Sequence, residues 1–410
     1  MKLKDIKEEF AKYLVIKDEW AIDIVLATIV GNLILREDSI WTMVVGISSG
    51  GKTSIIAPCA GLKQVHFSDD ISEKTFLSAY KTKDGDSSLL KKIDGGIMAF
   101  SDFTTILSKN PMSRGEILAQ LKMVYDGKFT KHTGTGTMKW EGRVGLIAAS
   151  TPDIYSHLES SRSMGERFLY YWFDQPTDQE VAKKRQNRRL SSRDITKHMQ
   201  GMYAEYFEGI KEYARTNGLP EFTLTEEQHA SISAAAIFCV NGKTTVSRDF
   251  KSGKVDQIPN KAGVGRDNDV FYTLLKALHL MDCYENNDPK TAVSEDRIHL
   301  VEKCAYSSIN RERRKILEVL TVQEKKLTAS EIGAAKGIGL EKDSVEKYLI
   351  PLHAVGLVRK EIGNPHKWFI GDESTKDFVR RVSATVKDEG ILESTEHMEV
   401  DEVPMPEYQY

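Results

Sequence analysis

Eight consecutive residues form the part of this chain whose types and spacing are best suited to chemistry. They read Gly-Ile-Ser-Ser-Gly-Gly-Lys-Thr and match the spacing GxxxxGK(S/T). Glycines at these positions let backbone N–H groups converge on phosphate oxygens, the lysine adds a positive charge there, and the threonine hydroxyl can ligate Mg²⁺. We call this segment the glycine-rich loop and predict that it binds nucleotide phosphates. Its residues are Gly46, Ile47, Ser48, Ser49, Gly50, Gly51, Lys52 and Thr53.

A single carboxylate, Asp102, is predicted to lie beside this loop, because it follows the apolar run 96–100. Hydrolysis of ATP usually employs one acidic residue for the metal ion and a neighbouring one for the attacking water. If Asp102 fills the metal position, Phe103 replaces the water-activating residue; if it activates water, Ser101 replaces the metal ligand. We favour the second register, since an aromatic residue often follows the acidic pair. Glu116 is a distant candidate for the missing carboxylate, but is expected at the surface of a helix.

Apolar runs predict the elements that must hold these residues in place. Residues 41–45 directly precede the glycine-rich loop, and further runs at 96–100, 144–149 and 168–173 are separated by stretches with helical spacing. Short apolar runs of this kind are typical of buried parallel strands. Their alternation with helices predicts a three-layer α/β domain over residues 41–175.

The rest of the chain is predicted to be mostly helical. Two helices are expected within residues 1–40, and near-helical apolar spacing predicts a helical domain over residues 176–306. Residues 307–371 predict three helices and two short strands, a pattern that resembles a winged helix-turn-helix. Over residues 372–410 we predict an acidic, disordered tail, because the part from Asp388 onward carries eight acidic residues and no Lys or Arg.

Composition predicts a soluble protein with several domains. The 410 residues are 40% hydrophobic and 29% charged, and no apolar run approaches the roughly 18 residues needed to span a bilayer. The charged N-terminal sequence is unlike a signal peptide, so we expect a cytoplasmic location without membrane contact. The four cysteines lie far apart, which predicts buried apolar side chains rather than a zinc site or disulfides. A net charge of -3 gives no general case for nucleic-acid binding, so that case depends on local basic clusters.

Another polar residue, Thr151, follows the apolar run 144–149. With it, the order of motifs resembles AAA+ ATPases, most closely the MCM-like and superfamily-three helicase branch and uncharacterised ATPases of bacterial mobile elements and phages. The resemblance covers residues 17–371. It implies a P-loop α/β core with a helical lid and a C-terminal winged helix, with ATP and Mg²⁺ as cofactors.

The resemblance also implies roles for individual residues. Thr151 falls at the sensor-1 position, which orients the attacking water and is more often Asn. Arg167 falls at the arginine finger, which reaches the γ-phosphate bound by a neighbouring subunit; Arg162 competes for this role, and a structural Arg paired with a carboxylate is the alternative. Arg266 falls at the sensor-2 position, for which Arg248 is also available. A finger acting on a neighbour implies a homo-oligomer, most simply a hexameric ring.

A predicted β-hairpin over residues 126–140 is the first candidate for contact with nucleic acid. In the similar helicases a hairpin at this place points into the ring channel. Lys131 and His132 suit such a role, because an ammonium pairs with phosphate and an imidazole can hydrogen-bond or stack. An ordinary solvent-exposed hairpin is the alternative.

Two further basic clusters have open interpretations. One lies within residues 183–193 and can be a nucleic-acid path, a solvated helix face or a docking site for the acidic tail. The other is the predicted wing, with Arg359 and Lys360, whereas the preceding helix carries charges of both signs. Contact of the wing with DNA and contact of the helix with protein both remain open. The first cluster consists of Lys183, Lys184, Arg185, Arg188, Arg189 and Arg193.

Two hypotheses of different classes follow. The first is an ATP-driven motor on single-stranded DNA, such as a replicative helicase or replication protein of a mobile element or phage. The second is an AAA+ switch, such as a helicase loader, initiator or transposition accessory factor, whose nucleotide state controls assembly on DNA or on a partner protein. The lone carboxylate Asp102 favours the switch, because slow hydrolysis suits it. A simple P-loop kinase is a distant third.

Overall fold

The computed structural model describes most of the chain up to residue 384. The described residues are 1–48, 50–72, 75–77, 81–82, 85–86, 88–133, 136–159, 167–174, 178–186, 191–244, 246–247, 255, 257, 259, 261, 263–323 and 325–384.

A five-stranded parallel sheet forms the centre of the protein, with the strand order β2-β5-β8-β1-β9. Its strands are β1 (Trp41–Val45), β2 (Val65–Phe67), β5 (Ile97–Phe100), β8 (Gly145–Ser150) and β9 (Leu169–Trp172). Three smaller antiparallel sheets contain β3 (Lys81–Thr82) with β4 (Gly85–Asp86), β6 (Lys128–Thr133) with β7 (Gly136–Glu141), and β10 (Leu327–Thr328), β11 (Arg359–Glu361) and β12 (Lys367–Phe369).

Helices surround this sheet and continue to residue 383. The α-helices are Leu3–Tyr13, Trp20–Val30, Lys52–Ile56, Leu89–Ile93, Thr104–Leu107, Pro111–Tyr125, Ile154–Glu159, Asp178–Gln186, Ser192–Asn217, Glu226–Lys243, Gly265–Asn286, Glu295–Ser307, Arg311–Val322, Ala329–Ala334, Lys342–Ala354 and Glu373–Ser383. A π-helical turn at Gly31–Leu35 and a 3-10 helix at Ala57–Gly61 complete them. The predicted α/β class is therefore confirmed.

The sheet brings the carboxyl ends of its central strands together. Strand β8 lies between β1 and β5, with Val45 opposite Ser150 and Phe100 opposite Ala148. All residues of these three strands are buried, as the apolar runs predicted. We call this the loop edge, because the glycine-rich loop begins there, and the opposite side the far edge. Strand β2 was not predicted, since three residues are too few to give a pattern.

A buried ion-pair network joins the N-terminal segment, the sheet and the helical region. Lys303 Nζ donates to Asp18 Oδ2 at 2.7 Å and to Asp174 Oδ2 at 2.9 Å, and Tyr171 donates to Asp18 Oδ1 at 2.7 Å. All four side chains are buried. Because a buried charge is costly unless it is paired, this network fixes the three parts relative to one another.

The C-terminal region contains the predicted helices and both predicted strands, and β10 adds a third strand. Thr328 caps its helix as expected: the Glu331 N–H donates to Thr328 Oγ1 at 3.2 Å, and the Thr328 N–H donates to the Glu331 carboxylate at 2.7 Å. The helix Glu373–Ser383 corrects our prediction of a disordered tail from residue 372. It forms because Phe378 and its apolar neighbours share one face, and the Phe378 ring packs 4.5 Å from that of Phe238. Residues 385–410 lie outside the described residues.

Two further predictions concern the cysteines and the length of the apolar helices. The four cysteines are all buried and free of disulfides, as predicted. Within the described residues, no helix combines the length and the apolar character needed to cross a bilayer.

Candidate functional site

The glycine-rich loop connects β1 to the helix Lys52–Ile56 at the loop edge. The Gly46 N–H donates to the Ser150 carbonyl at 3.2 Å, so the loop begins beside β8. Gly51 has φ +95°, a left-handed conformation that an L side chain rarely adopts, and it is the N-cap of the helix. Ser49 lies outside the described residues. The helix therefore begins with its first N–H groups at this edge.

Lys52 is buried within the loop, with only 8% of the residue exposed. Its ammonium donates to the Gly46 carbonyl at 2.8 Å and to the Ile47 carbonyl at 2.5 Å. Burial lowers the pKa of Lys52 from its ordinary value, and the charge of Asp102 opposes that shift. The loop thus holds a desolvated cation close to the carboxylate predicted to act with it.

Thr53 and Asp102 lie at the same edge, on neighbouring elements. Thr53 Oγ1 donates to the Ser101 carbonyl at 3.2 Å, which connects the helix to the end of β5. The Thr53 and Asp102 side chains are exposed, and Asp102 Oδ1 accepts a hydrogen bond from the Thr104 N–H at 2.9 Å. The structure therefore brings together the predicted residues from three separate parts of the sequence.

The ring of Phe103 shows which positions around Asp102 can face a ligand. It is fully buried, with its centroid 5.6 Å from that of Phe100 and 5.7 Å from that of Phe168. A side chain at this position points into the apolar core. Of residues 101–103, Ser101 and Asp102 are therefore the two whose side chains can supply groups at the loop edge.

Two polar residues that the sequence did not single out also lie here. Thr104 Oγ1 is 3.5 Å from both Ser150 Oγ and Thr151 Oγ1. Thr151 Oγ1 is 3.4 Å from Asp153 Oδ2, and Asp153 is exposed. Each follows a predicted site residue by two positions, and that proximity was the one available signal. Glu116, by contrast, is exposed on its helix, as expected.

The oxygen donors at this edge fit a magnesium ion held together with phosphates. Mg²⁺ is commonly bound by one or two carboxylates and by substrate phosphates rather than by a complete protein cage. Thr53 and Asp102 meet that requirement. Among the described residues, no cluster of three or more His, Cys, Asp or Glu suited to a metal ion occurs, which a site of this kind does not need.

Arg167 lies at the far edge and is paired within its own chain. It precedes β9, whose Leu169 is opposite Thr42 near the start of β1. Its side chain is 4% exposed and donates to both carboxylate oxygens of Asp126 at 2.9 and 3.0 Å. The guanidinium also lies 5.5 Å from the Tyr125 ring. This is the pairing with a carboxylate that the structural alternative predicted, and the arginine-finger role stays a prediction; Arg162 lies outside the described residues.

Arg266 lies near the same tyrosine. Its guanidinium is 6.0 Å from the Tyr125 ring, and the residue is exposed. The Tyr125 ring in turn packs 5.2 Å from Trp41, the first residue of β1. A five-residue strand spans about 13 Å between its end residues. Arg266 and Arg167 therefore both lie near Tyr125 and far from the glycine-rich loop of their own chain; the competing Arg248 lies outside the described residues.

The predicted hairpin exists as β6 and β7, but it separates Lys131 from His132. Successive residues of a strand point to opposite faces. Lys131 shares a face with the buried Phe129, and its ammonium donates to the Leu77 carbonyl at 3.2 Å. His132 lies on the exposed face, where its Nδ1 is 2.9 Å from Thr137 Oγ1.

The exposed face of the hairpin carries further basic residues. Lys128 and Lys139 are both exposed, and Lys139 is opposite Thr130, which shares its face with His132. The sequence did not indicate Lys139, because the register across the hairpin was needed to place it beside His132.

In the hairpin of β11 and β12, the two basic residues that the sequence indicated differ in their exposure. Arg359 is exposed, whereas the Lys360 ammonium is half-buried and lies 5.2 Å from the Trp368 ring. Of the basic cluster within residues 183–193, Lys183 and Arg193 are exposed and Lys184 is half-buried; Arg188, Arg189 and the Arg185 side chain lie outside the described residues.

No protein-family model matches the chain, and no curated protein matches it in sequence. The proposed function therefore depends on the geometry of the site itself.

Proposed function

We propose that this protein is an ATP-hydrolysing AAA+ motor on DNA, in the class of replicative helicases or replication proteins of mobile elements and phages. One observation carries this proposal: Lys52, Thr53, Asp102 and Thr151 meet at the carboxyl ends of three adjacent strands. Such an edge is where ligands bind in open parallel sheets. The chemistry that these four residues can perform together is phosphoryl transfer to water.

In this proposal each residue has one task. The loop N–H groups and the Lys52 ammonium, released from its carbonyl partners, bind the β- and γ-phosphates. When bound, Mg²⁺ neutralises charge on the phosphate oxygens, and Thr53 is its protein ligand from the loop. Asp102 accepts a proton from the attacking water as the γ-phosphate bond to the leaving oxygen breaks. Thr151 and Thr104 orient that water.

The position of Ser101 supports the water-activating role for Asp102. The Thr53 hydroxyl donates to the backbone carbonyl of Ser101, so residue 101 is the residue of this segment next to the loop, where a metal-binding Asp is expected in this register. With Phe103 in the core, no other register offers a second polar side chain. The site therefore has a serine in place of one acidic residue.

The two arginines at the far edge support an oligomeric enzyme. Neither can reach the nucleotide of its own chain, so a role in hydrolysis requires a neighbouring subunit. Arg266 is the exposed member of the pair and is the better candidate for contact across a subunit boundary, whereas Arg167 holds Asp126 and Tyr125 in position. We propose a ring, most simply a hexamer, in which Arg266 of one subunit completes the site of the next.

Mixing two inactive variants tests this assignment. Arg266→Ala should lower the ATPase rate by about 10³-fold, the scale of a missing arginine at a γ-phosphate. Lys52→Ala should also be inactive. A mixture of the two should regain activity, because some interfaces then combine an intact Lys52 with an intact Arg266. No recovery on mixing would show that Arg266 does not act across subunits. Arg167→Ala is the comparison: by breaking the buried pair with Asp126 it should lower the unfolding temperature.

The exposed face of the hairpin supports contact with single-stranded DNA. An exposed lysine beside a histidine provides charge for a phosphate and a ring for hydrogen bonding or stacking. We propose that His132 and Lys139 carry this contact, while Lys131 anchors the hairpin to the segment that contains Leu77. The winged-helix assignment of residues 307–371, with Arg359 in its wing, is a further proposed DNA contact.

The motor hypothesis predicts that ATPase activity rises on addition of single-stranded DNA. Equal rates with and without DNA would contradict it.

The salt dependence of DNA binding distinguishes the two faces of the hairpin. Lys139→Ala should make the slope of log affinity against log salt less negative by about 0.7, the value for one lost phosphate contact on a single strand. Lys131→Ala is the matched control and should leave the slope unchanged. The reverse result would assign the contact to Lys131.

One observation favours the second candidate, an AAA+ switch that controls assembly on DNA or on a partner protein. Ser101 in place of a second acidic residue leaves Asp102 as the one carboxylate of the segment that follows β5, and slow hydrolysis suits a switch. Displacement of a strand from a forked duplex, dependent on ATP, would exclude it; DNA assembly that follows nucleotide state without displacement would exclude the motor.

A further inference from the structure

Arg314 is a buried cation whose guanidinium has no hydrogen-bonding partner among the described residues. Only 2% of the residue is exposed, and Nε, Nη1 and Nη2 all lack a partner. Its neighbours on the helix Arg311–Val322 differ: Arg313 donates to the Gly242 and Thr244 carbonyls, and Lys315 lies 3.2 Å from the Glu318 carboxylate. Burying a guanidinium whose five N–H donors are unused is unfavourable, so its position calls for an explanation.

Two aromatic rings supply the contacts that Arg314 does make. Its guanidinium lies 4.4 Å from the Trp172 ring and 5.7 Å from the Tyr306 ring. Stacking of this kind offsets part of the lost hydration, but it leaves the N–H donors unused. The described contacts include no carboxylate that would balance the charge.

The position of Trp172 places this cation at the loop edge. Trp172 is the last residue of β9 and is opposite Val45, directly before the glycine-rich loop. The next residue, Phe173, donates its N–H to the Val45 carbonyl at 2.8 Å and approaches Gly51, with its ring 3.9 Å from where a Cβ on that glycine would lie.

The charge of Arg314 also acts on Tyr155, which belongs to the element that follows Thr151. Burial raises the pKa of Tyr155 to about 12, and the nearby charge of Arg314 partly opposes the rise. Tyr155 lies on the first turn of the helix Ile154–Glu159, and its hydroxyl donates to the Ser307 carbonyl at 2.5 Å. Arg314 thus lies between the carboxyl end of β9 and the start of this helix.

We propose that Arg314 is a second phosphate-binding residue of the site, supplied by the C-terminal region. When nucleotide binds, its guanidinium leaves Trp172 and pairs with a phosphate oxygen, which provides the missing counter-charge and hydrogen-bond acceptors. The helix Arg311–Val322 moves with it, so the phosphate state of the nucleotide is transmitted to residues 307–371. This inference rests on the proposed nucleotide site and adds a residue that the motifs do not include.

The fluorescence of Trp172 reports the predicted movement in the unmodified protein. Loss of a cation from the face of an indole changes its emission. We expect a non-hydrolysable ATP analogue with Mg²⁺ to change the tryptophan emission of the full chain, and we expect Trp172→Phe to remove that change while the analogue still binds. Adenosine, which has no phosphates, should cause no change.

Affinity measurements then test the phosphate contact itself. Arg314→Met should weaken binding of the ATP analogue about 10- to 100-fold, the effect of one lost charge-assisted hydrogen bond or pair. Arg314→Lys should recover part of that loss, and circular dichroism of both variants checks that they fold. The proposal would be overturned if Arg314→Met lost affinity for adenosine and for the ATP analogue equally, or if its affinity for the analogue were unchanged. It would also be overturned if the analogue left the Trp172 emission unchanged.

The same titrations separate this inference from the function on which it depends. If the unmodified chain does not bind the analogue, the proposed ATPase is wrong. If it binds, and Lys52→Ala abolishes binding while the Trp172 emission stays constant, the nucleotide site stands and only the role of Arg314 is overturned.

Discussion

Lys52→Ala is expected to lower kcat for ATP hydrolysis by about 10³-fold or more, because the charge that stabilises phosphoryl transfer is lost from a water-poor loop. The burial of Lys52 also predicts how this substitution affects the stability of the protein. Burial lowers its pKa, so the charged form is less favourable in the folded protein than in the unfolded chain. Its removal should therefore leave the unfolding temperature unchanged or raise it, while activity disappears.

Lys63→Ala provides the matched control for this experiment. Lys63 is an exposed lysine shortly before β2. Its replacement removes one positive charge away from the loop edge. Steady-state phosphate release and thermal unfolding of the three proteins check the prediction. Hydrolysis by Lys52→Ala at the unmodified rate would show that the glycine-rich loop is not the site of the reaction.

Asp102→Asn is expected to lower kcat by about 10²- to 10⁴-fold, the usual contribution of a positioned general base. Asparagine keeps the size of the side chain and can still accept the hydrogen bond from the Thr104 N–H. Affinity for the ATP analogue should change far less than kcat, because Asp102 acts on the water in this register. The measurement is a comparison of single-turnover rates with equilibrium binding of the analogue.

Ser101→Asp distinguishes the two registers of the acidic residue. If Asp102 activates water, an added carboxylate beside Thr53 restores the usual acidic pair and should tighten Mg²⁺ dependence without replacing Asp102. If Asp102 instead binds the metal, Asp102→Asn should chiefly weaken binding of the Mg²⁺ complex. Ser101→Asp with Asp102→Asn should then regain activity. Recovery in that double variant would contradict our assignment.

The activities of the Ser101 and Asp102 variants also help to distinguish a motor from a switch. A site with Asp102 and Ser101 after β5 has groups suited to binding nucleotide, and in our proposal its hydrolysis depends on Asp102 as the single base. A faster enzyme in Ser101→Asp would mean that the natural sequence limits turnover, which suits a protein that changes state slowly. A rate that is unchanged, together with strand displacement, would mean that one carboxylate suffices for a motor.

Local patterns in the sequence predicted most of the elements, and they also gave the residues that we propose to bind nucleotide. The spacing of glycines, Lys52 and Thr53 specified the loop, because contact with phosphate requires those residue types at those positions. Four apolar runs predicted four of the five central strands, since strands buried on both faces must be apolar throughout. The capping pair Thr328 and Glu331 predicted the start of a helix for the same local reason.

Other features depended on contacts between distant residues, which no local pattern contains. We missed the helix Glu373–Ser383 because it has three buried apolar residues among many charged ones, and that composition favoured a prediction of disorder. Lys131 and His132 looked equivalent as neighbours, and only the pairing of β6 with β7 showed that they face opposite ways. Thr104 became relevant because β8 lies between β1 and β5.

The sequence by itself determined the α/β class, because strands buried on both faces must be apolar throughout, and it predicted phosphate binding at the glycine-rich loop from residue type and short-range spacing. Only the tertiary structure decided which positively charged side chains can act. Arg167 is engaged by Asp126, Arg266 is exposed at the far edge, and Arg314 is buried against Trp172 at the loop edge. The physical reason is that the action of a charge depends on its solvation and its neighbours, and folding brings those neighbours from distant parts of the chain.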